Sequence, residues 1–171
     1  DDGLLCPAGI AGEVVSRGRI TMPGYWQRDD ANADPLYVDE EGVSWLRSGD
    51  IGKLDGDGFL YIVDRKKDMI LSGGQNIYPQ DIEAVLVDHD QVRDVAVIGV
   101  PSKRWGETPL ALVVLDGSAA TTEDVLHWAN GRLGKQQRLS GCVSVDALPR
   151  NPNGKILKRE LRSVYGDYRL D

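Results

Sequence analysis

The chain has 171 residues, a length that suits one medium-sized domain or a small domain with an additional segment. Its formal charge of -7 argues against a nucleic-acid-binding protein, because nucleic-acid binding depends on clustered cations that displace counterions from phosphates. Cys6 and Cys142 are too far apart to predict a disulfide framework or a zinc site, and the apolar runs are strand-sized, so we expect a cytoplasmic protein without a membrane span.

The first part of the chain predicts short strands joined by turns. Val14 and Val15 lie between glycine-containing turns, as in a short strand. Asp55–Gly58 predicts a hairpin turn, because glycine tolerates the positive φ that tight loops need. Turns are also predicted over the aromatic segment 22–26 and the acidic segment 27–44. The predicted strands cover residues 12–18, 45–47, 51–54 and 59–63.

After Asp64 the pattern changes to a mixture of strands and helices. Pro79 predicts the start of a helix, because Ile82, Val85 and Leu86 follow it at helical spacing. The predicted strands of this part cover residues 69–71, 92–100, 109–115 and 143–145.

Two more helices are predicted near the C-terminus. Thr122 is the expected N-cap of the first, and Gly134 marks its expected end. The second follows a turn over residues 151–154. The apolar residues expected to face the core are Val125, Trp128, Ala129 and Leu133 in the first helix, and Leu157, Leu161 and Val164 in the second.

Six short motifs occur in one order along the chain: Gly12–Val14, Met22–Trp26, Arg47–Asp50, Gly58–Asp68, Gly73–Pro79 and Asn153–Arg159. In their residues, order and spacing they resemble adenylate-forming enzymes. Over essentially its whole length the chain is similar to the C-terminal portion of an acyl-CoA synthetase, of the fatty-acyl or aryl-CoA ligase branch. Six motifs in the same order are far more specific than any one of them.

The resemblance implies an α+β fold in two parts. Residues 1–63 would form a short all-β end of the large N-terminal adenylating domain, and residues 69–171 a compact α+β lid domain. Residues 64–68 would be the hinge between them, with Lys67 as the position where backbone torsions change. The lid would then rotate between two working positions.

The resemblance also implies roles for five residues of a site, none of which binds a metal. Asp50 would bind the ribose, because one carboxylate can accept hydrogen bonds from both hydroxyls of a diol. Arg65 would approach the ribose and phosphate with its planar donor fork. Lys155 would enter the site during adenylation and contact the α-phosphate. Gly73 and Gly74 would line the channel for the pantetheine arm of CoA, since they lack a Cβ atom.

Taken one at a time, these residues have simpler interpretations. Asp50 is then a turn aspartate, Arg65 a surface arginine at a strand end, and Lys155 an exposed residue of a Gly-Lys turn. Gly73 and Gly74 are then merely the turn that ends a strand. Only the order of the motifs favours the functional interpretation.

The activity implied for the parent enzyme is ligation of a carboxylic acid to CoA. ATP, accompanied by Mg²⁺, and the acid would give an acyl-adenylate and pyrophosphate, and the acyl group would then pass to the CoA thiol. The phosphate loop and acyl pocket of such enzymes do not occur in these residues. We therefore expect the N-terminal domain of the same protein to be a required partner, and no ligase turnover by this chain alone.

Two alternatives remain open. In the first alternative, the chain is a non-catalytic module that keeps the lid fold for binding. In the second, it is part of a peptide-synthetase type of adenylation domain that acts on a carrier protein. The segment 72–79 resembles CoA ligases more than peptide synthetases, which favours CoA as the acceptor. The segment 136–139 departs from the family pattern, and this puts any CoA contact there in doubt. Exposed strand edges in the first part also predict self-association of the fragment.

Overall fold

The computed structural model describes residues 4–19, 21–22, 24–29, 32, 36–117 and 120–168. It divides into two compact units, Asp1–Lys67 and Asp68–Asp171. The α+β prediction is confirmed, because a sheet fills the first unit and the second combines a sheet with helices. Parts of the predicted turns (residues 23, 30–31 and 33–35) and the ends of the two predicted domains (1–3 and 169–171) lie outside the described residues.

The first unit contains an antiparallel sheet built around one long strand. The central strand β3 pairs with each of the other three, β1, β2 and β4. The strands are β1 (Gly12–Ser16), β2 (Leu36–Val38), β3 (Ser44–Leu54) and β4 (Leu60–Arg65). The predicted strand near Val14 and the predicted hairpin turn after Leu54 are confirmed.

Two predictions in this unit need revision. The extended segments 45–47 and 51–54 are confirmed, but they belong to one strand that a bulge interrupts. The segment 27–44 contains β2, which pairs Tyr37 with Trp45. Asp39 supports this hairpin through its two carboxylate oxygens, which accept hydrogen bonds from the Val43 N–H and the Trp45 indole N–H, both at 2.8 Å.

The second unit contains a five-stranded sheet in the order β6-β5-β8-β7, with β9 also paired to β8. All pairs are antiparallel except β8 with β9, which is parallel. The strands are β5 (Ile70–Ser72), β6 (Gln75–Ile77), β7 (Val92–Ser102), β8 (Gly106–Leu115) and β9 (Gly141–Ser144). The strands predicted in this part are confirmed with shifted ends, whereas β6 was not predicted.

Among the described residues of the second unit, three helices cover the sheet: α1 (Pro79–Val87), α2 (Thr122–Asn130) and α3 (Lys158–Tyr165). Neighbouring residues of a strand point to opposite faces, so Val97 and Ile98 of β7 belong to different core clusters. The Val97 cluster contains residues of α1 and α2, and the Ile98 cluster contains Leu161 of α3. The sheet is therefore covered by helices on both faces.

The ends of the predicted helices need correction. The N-cap of α2 is Thr121 rather than Thr122, because the Thr121 side chain accepts a hydrogen bond from the Asp124 N–H while the Asp124 carboxylate accepts one from the Thr121 N–H. The helix ends at Asn130, with Gly131 as its C-cap, so Leu133 is buried beyond it. In α3 Leu161 is buried as predicted, but Val164 is 71% exposed.

The remaining sequence predictions concern cysteines and membranes. Cys6 is exposed, Cys142 is partly buried, and both are free thiols. Burial raises the pKa of the Cys142 thiol to about 11, which makes it a poor nucleophile at neutral pH. No helix in the described part of the chain has the length and apolar character needed to cross a membrane.

Candidate functional site

Asp50 and Arg65, which were predicted to share a ligand, form an ion pair in the first unit. They lie opposite each other on β3 and β4, and the guanidinium Nη1 is 2.6 Å from Asp50 Oδ1. The same nitrogen donates a hydrogen bond of 3.3 Å to the Ser48 carbonyl. Both side chains remain partly exposed, 30% for Asp50 and 39% for Arg65. The pair is thus preformed and accessible from solvent.

Irregular strand pairing places these two side chains. Arg47 of β3 pairs with Val15 of β1, and Ile51 pairs with Glu13. Between these two pairs, β3 has three residues (48–50) and β1 has one, Val14. Such a bulge re-aims side chains and is common next to functional sites. Gly49 adopts a φ of +71°, a conformation that glycine reaches without the strain of a Cβ atom. The Ser48 hydroxyl accepts a hydrogen bond of 3.0 Å from the Asp50 N–H and braces the bulge.

A second charged cluster, which the sequence did not predict, joins β1 to the segment after β4. The Glu13 Oε2 atom accepts hydrogen bonds from Arg47 at 2.7 Å and from Lys66 at 2.8 Å. Partial burial raises the pKa of Glu13, but the bonds from Lys66 and Arg47 outweigh this and leave the pKa below its ordinary value. Glu13 therefore stays ionised and holds Lys66, the neighbour of Lys67.

Lys67, predicted as the hinge residue, lies in a short 3₁₀ turn over Lys66–Asp68. Its side chain is exposed, whereas Asp68 is buried. Within the second unit, the Asp68 carboxylate accepts a hydrogen bond of 2.7 Å from Arg162 of α3. The residue after Lys67 is thus anchored, while Lys67 itself faces solvent.

Gly73 and Gly74 form the two-residue turn between β5 and β6, as the sequence predicted for a turn at this place. Their φ values are +57° and +79°, which are typical of the tightest hairpin turns. The two glycines differ in their surroundings, because a Cβ atom at Gly73 would lie 2.8 Å from the Trp105 ring, whereas Gly74 has no heavy atom that close. The Gly73 N–H also donates a hydrogen bond of 2.8 Å to the Trp105 carbonyl.

Lys155 lies near the tip of a hairpin that precedes α3. Arg150 and Ile156 form its bridge, and the Asn151 N–H donates a hydrogen bond of 2.9 Å to the Lys155 carbonyl. Ile156 packs against the core cluster that contains Leu161, so the base of the hairpin is fixed. The Lys155 side chain is exposed. The fold thus presents this ammonium to solvent from a well-anchored turn.

A pocket of about 450 Å³ lies elsewhere in the second unit. It is lined by the β6–α1 junction and by residues 134–137. Gln136 and Gln137 belong to the segment 136–139, whose sequence departs from the family pattern. The Gln137 side chain donates a hydrogen bond of 3.3 Å to Asp81 across the pocket. In the described part of the chain, no group of three or more His, Cys, Asp or Glu residues could hold a metal ion.

The structure brings together two pairs of the predicted site residues. Asp50 contacts Arg65 in the first unit, and Gly73 is followed by Gly74 in one turn of the second. Lys155 lies in a separate hairpin of the second unit. Chemically, the first unit offers a carboxylate beside a fixed guanidinium, which suits a ligand with hydroxyl and phosphate groups. The second unit offers an exposed ammonium, which suits an anion.

Comparison with known proteins shows which proteins the chain is similar to. A family model described as the AMP-binding enzyme C-terminal domain matches residues 81–155. These residues are similar to the C-terminal domain of AMP-binding enzymes. The match runs from α1 to Lys155, so the matched stretch includes most residues of both core clusters and most of the lysine hairpin.

Relatives of the AMP-binding C-terminal domain extend the match to nearly the whole chain. A long-chain-fatty-acid–CoA ligase of Mycobacterium tuberculosis, FadD13, is 42% identical over 165 residues, which cover 96% of this chain and 32% of that protein. ATP-bound MatB from Rhodopseudomonas palustris superposes with a TM-score of 0.83 at 35% identity, over 95% of this chain and 32% of that one.

A third relative was solved with a reaction intermediate. It is the o-succinylbenzoate CoA synthetase MenE from Bacillus subtilis in complex with its acyl-adenylate, with a TM-score of 0.79 and 36% identity over 95% of this chain and 32% of that one. The predicted resemblance to the C-terminal portion of an adenylate-forming acyl-CoA synthetase is confirmed. The chain spans about a third of the length of these relatives.

Proposed function

We propose that this chain is the C-terminal part of an ATP-dependent acyl-CoA ligase, in which it contributes nucleotide contacts and the lysine of adenylation. The observation that carries the proposal is the preformed Asp50–Arg65 pair, together with similarity to the AMP-binding C-terminal domain over a stretch that includes the exposed Lys155. The similarity to CoA ligases over nearly the whole chain supports CoA as the acyl acceptor.

Asp50 and Arg65 bind the ribose of the nucleotide in this proposal. A carboxylate has capacity for about four hydrogen bonds, and Arg65 occupies only the Oδ1 side of Asp50. The remaining capacity accepts hydrogen bonds from the two ribose hydroxyls. The other donors of the Arg65 guanidinium are then available to a phosphate, and the bulge around Gly49 keeps Asp50 in position before the nucleotide arrives.

Lys155 supports the adenylation step. A carboxylate oxygen of the acid attacks the α-phosphorus of ATP, and the bond to the bridging oxygen of pyrophosphate breaks, so negative charge builds up around the phosphorus. A fixed ammonium stabilises this charge. In the second step the CoA sulfur attacks the acyl carbon, the thiol proton is lost and AMP leaves. Mg²⁺ accompanies ATP, and we assign no residue of this chain to it.

The hinge and the thiol channel are part of the same proposal. We assign the boundary between the adenylating domain and the lid to residues 64–68, with Lys67 as the residue whose backbone torsions change. Two observations support this assignment: the Lys67 side chain is exposed, and Arg162 anchors Asp68. We assign the path of the pantetheine arm to Gly73 and Gly74, and the open space beside Gly74 supports this.

The partner in this proposal is the large N-terminal domain of the same protein. Four successive apolar residues are each at least 49% exposed: Phe59, Leu60, Tyr61 and Ile62. Successive residues of a strand point to opposite faces of the sheet. Both faces of β4 therefore expose apolar side chains, as expected for a surface that a further layer covers. Without that layer, the same surface favours self-association, which sedimentation of the purified chain would reveal.

The cytoplasmic location stays a prediction, based on two free cysteines. Fractionation of cells that express the native protein tests it, with immunodetection of this segment. Recovery with the cytoplasmic marker enzymes is the expected result, and recovery in an oxidising compartment would contradict it.

Reconstitution tests the proposed function. The purified chain is mixed with a separately expressed N-terminal domain, ATP, Mg²⁺, CoA and a panel of fatty and aryl acids. We expect acyl-CoA only when both parts are present, and no pyrophosphate release by the chain alone. A carrier protein replaces CoA in a parallel reaction, and transfer to it but not to CoA indicates the peptide-synthetase alternative. Tight adenylate binding by the chain alone, without rescue, indicates a non-catalytic binding module.

A further inference from the structure

The peptide group that joins Gly154 to Lys155 is held from both sides. Its N–H, on Lys155, donates a hydrogen bond of 2.8 Å to the Asn151 side-chain oxygen. Its carbonyl, on Gly154, accepts a hydrogen bond from the Arg150 guanidinium. Because a peptide group is planar, fixing its two polar atoms fixes the plane from which the Lys155 side chain departs.

Arg150 is itself held by a residue far away in sequence. Its Nη2 atom donates to both oxygens of Asp94, at 2.8 and 2.7 Å, while its Nη1 atom reaches the Gly154 carbonyl. Asp94 lies on β7, the strand that packs against α1 and α3. The guanidinium thus connects the hairpin tip to the sheet, and its planar fork allows both contacts at once.

The other end of the hairpin is also anchored. Ile156 packs in the core cluster with Leu161, and Lys158 of α3 forms an ion pair of 2.7 Å with Glu83 of α1. With the base of the hairpin fixed by these contacts, Arg150 and Asn151 hold the exposed tip from Pro152 to Lys155. The Arg150 contact acts on this tip.

We propose that Arg150, oriented by Asp94, is a positioning residue for Lys155: it fixes the direction in which the lysine side chain leaves the hairpin. The inference rests on the proposed function, in which Lys155 stabilises adenylation. Arg150 touches neither substrate nor nucleotide in this account and acts only through the peptide group before Lys155. Its effect must therefore be confined to the step that uses Lys155.

The test measures the two half-reactions separately in the longer enzyme that we propose contains this chain. Adenylation is followed as acid-dependent pyrophosphate release, and thioester formation as acyl-CoA made from supplied acyl-adenylate. We expect Arg150→Met and Asp94→Asn to lower the adenylation kcat by about 10-fold to 100-fold, the range for a slightly misplaced catalytic group. The thioester half-reaction and the KM for ATP remain unchanged.

A double variant separates positioning from general weakening of the fold. If Arg150 acts through Lys155, adding Arg150→Met to Lys155→Ala lowers adenylation no further, because the group being positioned is already absent. The matched control is Arg93→Met, which removes an exposed arginine one position from Asp94 on the same strand, and leaves both half-reactions unchanged. Additive effects, or an equal fall in both half-reactions, overturn the inference.

Failure of the proposed function is recognisable in the same data. If Lys155→Ala leaves adenylation unchanged, the proposed function is wrong and the inference falls with it. If Lys155→Ala lowers adenylation but Arg150→Met does not, only the positioning role is overturned. Amide hydrogen exchange in the 171-residue chain gives an independent readout. We expect Arg150→Met to speed exchange at Gly154 and Lys155 and to leave exchange at Ala129 in α2 unchanged. Unchanged exchange at both hairpin positions also overturns the inference.

Discussion

At the scale of single residues, the Asp50–Arg65 pair shows how a charged site is built before its ligand binds. Each residue satisfies the other's charge at 2.6 Å, so neither is left unpaired in a partly exposed position. The energetic gain of such a surface pair is small. Its value in the proposed function is geometric, because the strand register and the bulge fix the carboxylate in one orientation.

We expect Asp50→Asn to weaken nucleotide binding selectively. The substitution keeps the size of the side chain but removes its charge and one acceptor oxygen for the ribose hydroxyls. Loss of a hydrogen bond to a charged group costs about 1.5–3 kcal/mol, so the KM for ATP rises by at least about tenfold. ATP titration of acyl-CoA formation in the longer enzyme measures this. The control is Asp57→Asn in the nearby hairpin turn, and equal KM values for the two variants would contradict the ribose role.

At the scale of elements, the two adjacent threonines at the start of α2 provide a matched comparison. Thr121 caps the helix through its side chain, and Thr122 is the first helical residue. We expect Thr121→Ala to lower the free energy of unfolding by about 1 kcal/mol, the usual cost of losing an N-cap. Thr122→Ala changes it by less than about 0.5 kcal/mol. Urea unfolding of the chain distinguishes them, and a larger effect at Thr122 would restore the cap position predicted from the sequence.

The turn between β5 and β6 gives a second matched comparison. Both glycines have positive φ, so alanine is strained at either position, by roughly 1–2 kcal/mol. Only at Gly73 does the added methyl group also collide with the Trp105 ring, at 2.8 Å. We expect Gly73→Ala to destabilise the second unit by about 1 kcal/mol more than Gly74→Ala, measured by urea unfolding. Equal losses would mean that the ring moves aside freely.

Most elements could be predicted from the sequence, and the errors have local causes. Strong periodicity or a clear start signal identified α1 and the long strands of the second sheet. The strands β2 and β6 have three residues each, too few for a pattern to emerge, and their pairing partners stabilise them. Ser48–Asp50 resembles a turn in sequence, yet β1 and β4 hold it within β3 as a bulge. The N-cap of α2 was misplaced by one residue because two threonines are adjacent.

At the scale of the whole molecule, the predicted site residues lie on short motifs, whereas the contacts that support them join residues far apart in sequence. Lys66 contacts Glu13 from 53 residues away, and Arg150 contacts Asp94 from 56. Neither pair follows a helical or strand spacing, so only the folded arrangement reveals it. The sequence could thus indicate which residues do the proposed chemistry, but the residues that hold them in place required the structure.

In the proposed function, adenylation depends on Lys155 of this chain. The most direct measurement compares Lys155→Ala with the native sequence in both half-reactions of the longer enzyme. We expect Lys155→Ala to lower the adenylation rate on the order of 10²–10³-fold, as for removal of one preorganised charge-stabilising donor, with little change in thioester formation from supplied acyl-adenylate. Equal adenylation rates for the two proteins, or pyrophosphate release by the 171-residue chain alone, would contradict the proposed function.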